Sequence, residues 1–289
     1  MSESDRLYGF RNNFYLGAYQ ALVDDHEIEG LTESEVLERD TILHRSNIAL
    51  GNHQVVLDSI KPSSPTAFQA LRLLALYLSD PTKKEEAVEA IQDLLSDPAT
   101  ANNITLILAA ASILSHEGNY ADALKFTHAS TNLEVQALNV QMYLKMDRPD
   151  AAEKQMKAMQ AIDEDHTLTQ LANAWVDLGL GGSKIQDAYY IYQELSEKFL
   201  QTSYLLNGSA VCNIHKGNFE EAESLLQEAL QKDPKDADTL ANLVVVELHL
   251  GKPATKYLSQ LKTAAPSHVL VKKLQLREES FDRAVQAYA

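Results

Sequence analysis

The chain has 289 residues, 45% of them hydrophobic and 7% aromatic, with only 11 Gly and 8 Pro, a composition that suits an Ala- and Leu-rich helical core better than a sheet. A formal net charge of −16 sets it against phosphate backbones and anionic lipid, so neither nucleic acid nor a membrane surface is an expected direct partner. Cys212 is the only cysteine, the opening MSESDRLYGF lacks the basic flank and apolar core of a secretory signal, and no apolar run spans a bilayer; a soluble cytosolic protein is expected.

Taken in order, the chain reads as helix, turn, helix, many times over. Leu16-Gly17-Ala18-Tyr19 looks like the turn of a first pair, after Tyr8, Phe10 and Phe14. Gly51 follows Gly17 by 34 residues in a similar turn, and Thr32 with Glu35 has the capping-box spacing that starts a helix ending near Ala49. Pro62 and Pro65 break the pattern. A strongly apolar helix over 67–78 leads to the Asp80-Pro81-Thr82 turn, where Thr82 and Glu85 repeat the capping-box spacing. Residues 104–114 are apolar nearly all round, so they should be covered on more than one side. Turns at Gly118, Asp147 and Gly181-Gly182 separate the pairs that follow.

Residues 203–236 form the clearest unit. Leu206 and Ala210 lie on one face of the first helix; Phe219, Ala222, Leu226 and Ala229 make the stripe of the second. Gly217 supplies the left-handed turn, Pro234 ends the pair, and Ala222 is small where two helices approach closely. The period of 34 is that of a tetratricopeptide (TPR) repeat, with Leu206 where Trp is usual. One such pair cannot bury its own apolar face, so neighbours are required. Gly251 follows Gly217 by 34, and the small or closest-approach positions Leu22, Val56, Ala87, Ala123, Ala152, Ala188 and Ala222 are spaced by 29 to 36. These spacings predict an all-α, TPR-like α-solenoid over 1–289: one domain, a right-handed superhelix of about eight to nine helical pairs. Residues 251–289 form its shortened last repeat and capping helices. That last stretch carries 7 Lys and Arg against 3 Asp and Glu, read as a solvated basic face.

No residue set reads as catalytic, cofactor-binding or metal-binding. Gly179-x-Gly181-Gly182 has no strand before it and no phosphate lysine in place, so it is a turn. Asp163-Glu164-Asp165-His166 is an acidic helix start, favoured by the helix dipole. His116, His215 and His249 sit near helix C-termini, where a cation is welcome. Cys212 is a packed thiol, and Met156 and Met159 fill core. What a TPR array does offer is a concave surface made by the first helix of each pair. Asn207, Val211 and His215 in one unit, with Ala241, Val245 and His249 in the next, are the expected partner-binding residues. The helix over 240–250 is apolar on too many sides for a two-layer array, so a further layer or a partner should cover it.

Several runs resemble one family, the epsilon subunit of coatomer: TLTQLANAWV at 167–176, GGSKIQDAYYIYQE at 181–194, VVLDSIKPSS at 55–64, LVV at 243–245, HLGKP at 249–253, YLSQLK at 257–262 and FDR at 281–283. The resemblance implies a non-enzymatic, cofactor-free subunit of the COPI vesicle coat, at work in Golgi-to-ER and intra-Golgi transport. It implies an obligate partner, the C-terminal domain of the alpha subunit, with a projecting hairpin lying in the TPR concavity. The beta-prime subunit and the rest of coatomer would be reached indirectly, and the membrane only through the coat and the small GTPase Arf. Location would be cytoplasmic, peripheral on Golgi membranes and coated vesicles. The competing reading is a TPR adaptor or co-chaperone that captures acidic peptide tails. Such a groove needs Lys or Arg, and residues 104–114, 167–178 and 237–250 contain neither.

Overall fold

A computed structural model describes residues 5–288, and among them every regular element is helical. The chain divides into two compact units between Leu180 and Gly181. The first holds α1 (Tyr8–Tyr15), α2 (Tyr19–Asp24), α3 (Glu33–Ala49), α4 (His53–Ser59), α5 (Thr66–Ser79), α6 (Lys84–Ser96), α7 (Ile104–His116), α8 (Tyr120–Thr127), α9 (Leu133–Lys145), α10 (Pro149–Ile162) and α11 (Thr167–Leu180). The second holds α12 (Lys184–Lys198), α13 (Ser203–Lys216), α14 (Phe219–Lys232), α15 (Ala237–His249), α16 (Thr255–Ala264) and α17 (Val269–Tyr288).

Local chemistry sets the ends of these helices. Thr32 and Glu35 close the expected capping box, each side chain bonding the other's backbone N–H. The second expected box does not form. Pro81 opens a 3-10 turn instead, and the Asp80 carboxylate accepts from the Thr82 N–H at 2.9 Å and its hydroxyl at 2.7 Å. With Thr82 held to Asp80, nothing caps α6 from its side chain. At the other end of the hairpin, Gly217 turns with φ 79° and returns its N–H to Ile214 at 3.0 Å. Asp147 does the same work at φ 57°, a conformation that short polar side chains tolerate.

Val56, Ala87, Ala123, Ala152, Ala188 and Ala222, assigned from spacing to close approaches, are all fully buried. α7 packs against α5, α6, α8 and α9, which covers its all-round apolar surface as expected. The capping helices expected at the end of the chain are one continuous helix, α17. Only Val271 of it is buried, and Leu276, Phe281 and Val285 are among its exposed side chains.

Candidate partner-binding surface

In the first unit the inward-facing side chains meet one another. The Arg45 guanidinium on α3 lies 2.7 Å from the Glu134 carboxylate at the start of α9, and 4.4 Å from the Phe14 ring centre on α1. The Tyr15 hydroxyl donates to the other Glu134 oxygen at 2.9 Å. Thr167, first residue of α11, donates to Asn12 of α1 at 2.5 Å, both side chains buried. Arg11 forms a two-pronged pair with Glu38. Burial works against an ionised Glu134, but the Arg45 charge and the hydrogen bonds from Arg45 and Tyr15 outweigh it and hold the carboxyl below its ordinary value. Burial also pushes the Tyr15 hydroxyl well above the ordinary phenol range, with the Glu134 charge adding to it.

These contacts join α1 and α3 to α9 and α11 across 89 to 155 residues of sequence. The first unit therefore closes on itself, and the open hollow expected along the whole array is absent there. What remains is a cleft of about 320 Å³ lined by Thr41, Arg45, Asn103, Thr105, Asn132 and Glu134 among others.

The second unit bridges its corresponding face differently: the Asp238 carboxylate of α15 lies 3.1 Å from the His268 ring ahead of α17. On α13, Tyr204, Asn207, Val211 and His215 recur at three- and four-residue spacing and are half-buried or exposed. On α15 the face is Asp238, Asn242, Val245 and His249, with Leu248 64% exposed beside it. Asn242 Nδ2 donates to Asn207 Oδ1 at 2.8 Å and ties the two helices together. His249 stacks flat on Phe219 of α14, ring centres 4.3 Å apart and planes 6° from parallel.

Of the six residues assigned from sequence, the structure places five on this strip: Asn207, Val211, His215, Val245 and His249. Ala241 is elsewhere. It is 7% exposed and packs with Leu240, Leu261 and Val271, under α16 and α17. Those helices and α14 supply the layer that covers α15, leaving one narrow face open. Asn242 and Tyr204 escaped sequence reasoning. The signal for Asn242 was available, since it stands amid Leu243, Val244, Val245 and Val246 in an otherwise apolar stretch.

The residues weighed for chemistry have structural roles. The Asp163 carboxylate accepts from the Asp165 N–H, and the His166 ring accepts from the Leu168 N–H at the start of α11. Burial holds His166 below the ordinary imidazole value. Cys212 is fully buried, and burial pushes its thiol up to about 11. Met156 and Met159 pack into the core formed by α9, α10 and α11. No cluster of metal-ligating side chains and no helix long and apolar enough to cross a membrane occurs among the described residues.

Paired helices with left-handed glycine turns, alanines at the crossings and a narrow polar-apolar strip on the first helices define a TPR-like α-solenoid protein. Solved structures share this architecture. A tetratricopeptide repeat protein from Parabacteroides merdae superposes with a TM-score of 0.61 at 15% identity, covering 89% of this chain and 97% of its own. A chain of the APC/C hetero-tetramer Cut9-Hcn1 gives 0.60 at 15% identity, covering 93% and 53%. Sequence narrows the class further: the chain belongs to the coatomer epsilon subunit family, whose model matches residues 3–289, and so to a family of COPI coat components. It is 52% identical to coatomer subunit epsilon-1 of Arabidopsis thaliana, covering 100% of this chain and 99% of the relative. It is 53% identical to coatomer subunit epsilon-1 of Oryza sativa subsp. japonica, all of both chains aligned. Identity to the Dictyostelium discoideum epsilon subunit is 36%, over 91% of this chain and 92% of that one.

Proposed function

We propose that this chain is a non-enzymatic structural subunit of the COPI coat. Its role is to hold the C-terminal domain of the coatomer alpha subunit, with a projecting hairpin of that domain lying along the inner faces of α13 and α15. The observation that carries this reading is the open strip of the second unit, where Val211, Val245 and Leu248 leave apolar surface uncovered between polar neighbours. An apolar centre with a polar rim is the anatomy of a stable protein interface. The closed first unit then serves as a rigid support, and the whole chain acts as one TPR-like domain. Contact with the beta-prime subunit and the rest of coatomer is indirect on this reading. Membrane attachment comes through the coat and Arf, at the cytoplasmic surface of Golgi membranes and vesicles, in Golgi-to-ER and intra-Golgi transport.

The strip formed by Tyr204, Asn207, Val211 and His215 with Asp238, Asn242, Val245 and His249 contains no Lys or Arg, which argues against an adaptor for acidic peptide tails. The test is coexpression with the C-terminal domain of the alpha subunit. Val211→Asp and Val245→Asp should abolish copurification while helical content and melting stay those of the unaltered chain. Full retention of the domain by both variants would remove the second unit's strip from consideration.

A further inference from the structure

We propose that the free part of α17 is a docking face for an amphipathic helix of another protein. That helix carries apolar residues at three- and four-residue spacing, with carboxylates along one flank of the stripe and cations along the other. The face lies apart from the strip on α13 and α15 and implies a partner of its own.

Only the start of α17 is held by the rest of the chain. Leu270 and Val271 pack with Leu240, Ala241 and Leu261, and Leu274 is half-buried. From Gln275 to Tyr288 every residue is exposed. A helical stretch of that length is marginal in water by itself, because most helical stability comes from packing an apolar face. Such a face is present. At 100° per residue, Leu270, Leu274, Phe281 and Val285 fall within an arc of about 60°. The stripe that enters the core at Leu270 thus runs on uncovered past Phe281, 69% exposed, and Val285, 49% exposed. Leu276 lies on the opposite side, singly, as exposed leucines commonly do.

Charge is sorted by sign on the two flanks of this stripe. Lys273 and Arg277, one turn apart, border it on one side; Glu278 and Asp282, one turn apart, border it on the other. Like charges at that spacing work against an isolated helix. No ion pair among the described residues uses any of the four; those of the second unit include Lys184–Asp187, Lys252–Glu223 and His268–Asp238. A helix laid along the stripe, with carboxylates opposite Lys273 and Arg277 and cations opposite Glu278 and Asp282, meets both needs at once. Other occupants fit less well. An anionic lipid surface draws Lys273 and Arg277 but repels Glu278 and Asp282 at the same depth, and repels a chain of net charge −16 as a whole. A second copy presents the right flanks only with its α17 parallel to the first. The body on which its own Leu270 and Val271 sit then claims the space of the first copy. Run antiparallel, two copies set like flank against like flank.

The probes are three synthetic helical peptides as long as α17. One has leucine along a stripe, glutamate on one flank and lysine on the other; the second keeps the stripe with glutamine on both flanks; the third is scrambled so that no stripe forms. Titrated into the intact chain, the first should bind with a Kd of about 10–100 μM, as a small interface gives. The second should bind about 10-fold more weakly, and the third not at all. Lys273→Glu combined with Arg277→Glu should cost the first peptide a similar factor, and Phe281→Asp should take it below detection. If a variant does not melt normally, the peptide series on the unaltered chain decides. The first peptide should also bind when the C-terminal domain of the alpha subunit is already in place. No binding of the first peptide, or equal affinity for the first and second, overturns the docking face. So does its displacement by the alpha-subunit domain, which would assign α17 to that partner. Flotation with phosphatidylserine vesicles, or a dimer in sedimentation, either one lost in Phe281→Asp, would replace the helix with lipid or with a second copy. None of these results touches the strip on α13 and α15.

Discussion

The two units apply one hairpin to different ends. Residues 1–180 carry 13 Lys and Arg against 27 Asp and Glu, whereas 181–289 carry 12 against 14. Yet the more acidic unit is the one that turns charged side chains inward and joins them. Arg45 and Tyr15 are long enough to reach Glu134 from other helices, the guanidinium as an ion pair with one carboxylate oxygen and the hydroxyl as a hydrogen-bond donor to the other. The place of Arg45, six residues before the hairpin glycine, is taken in the second unit by Val211 and Val245. Their reach ends at the neighbouring helix, and the face stays available. Inner-face side-chain length and charge, rather than the repeat itself, decide whether a stretch of this array closes or receives.

That contrast can be broken most sharply at Glu134. Glu134→Ala strands Arg45 and the Tyr15 hydroxyl in a site where a fifth of each charged side chain is exposed (21% and 22%). A loss of about 3 kcal/mol in unfolding free energy is expected. Hydrogen exchange should rise in peptides from the first unit and stay unchanged in those from 181–288; equal effects in both would show that closure is not local.

The second unit depends on tight helix contact. A Cβ on Gly208 of α13 would come 2.5 Å from the Tyr192 ring of α12. Ala222, fully buried among Ala210, Leu226, Leu243 and Val246, has no room to grow. Gly208→Ala and Ala222→Leu should each cost roughly 1–3 kcal/mol by overpacking, seen as a lower melting temperature. A variant that melts normally would mean these crossings are looser than their geometry shows.

Acid should separate the units more gently. Both His166 and Glu134 have folded values below their ordinary ones of 6.5 and 4.5. For such groups the unfolded chain takes up the proton first. Stability is full above the ordinary value and declines as pH falls through the folded one. The urea midpoint of the unaltered chain should therefore drop in two stages, near pH 6 and again below about 4.5. Glu134→Gln should shrink the lower stage, to which Glu35, Asp80 and Asp150 also contribute, and keep the upper. The smallest effect is expected at Leu248, 64% exposed: Leu248→Ser should change stability by less than about 0.5 kcal/mol.

Much of this was legible in the sequence because it is local. The spacing of 34 between Gly17 and Gly51, and again between Gly217 and Gly251, marks the hairpin turns, and the alanines between them mark the crossings. The capping box at Thr32 and Glu35 is a four-residue matter. The closure of the first unit is not local. Nothing near Asn12 announces Thr167, and repeats spaced irregularly from 29 to 36 residues do not reveal how tightly the array winds. Ala241 was misplaced for a related reason. It lies 34 residues after Asn207, as Val245 does after Val211, but Leu261 and Val271 of the added helices pack over it, and the side chain that meets Asn207 is that of the adjacent Asn242. One residue is a 100° turn of a helix, enough to exchange the open face for the core.

The bond between Asn12 and Thr167 also has a bearing on how the chain is made. Its two ends are separated by 155 residues. At about 5–20 residues per second, α1 leaves the ribosome roughly 8–30 seconds before the helix that finally secures it. Leu7 and Phe10 can settle early against Leu22 and Ile42, but Tyr15 must wait for Glu134. Translation speed between those two points, and whatever shelters a nascent chain meanwhile, thus determine the yield of the closed form.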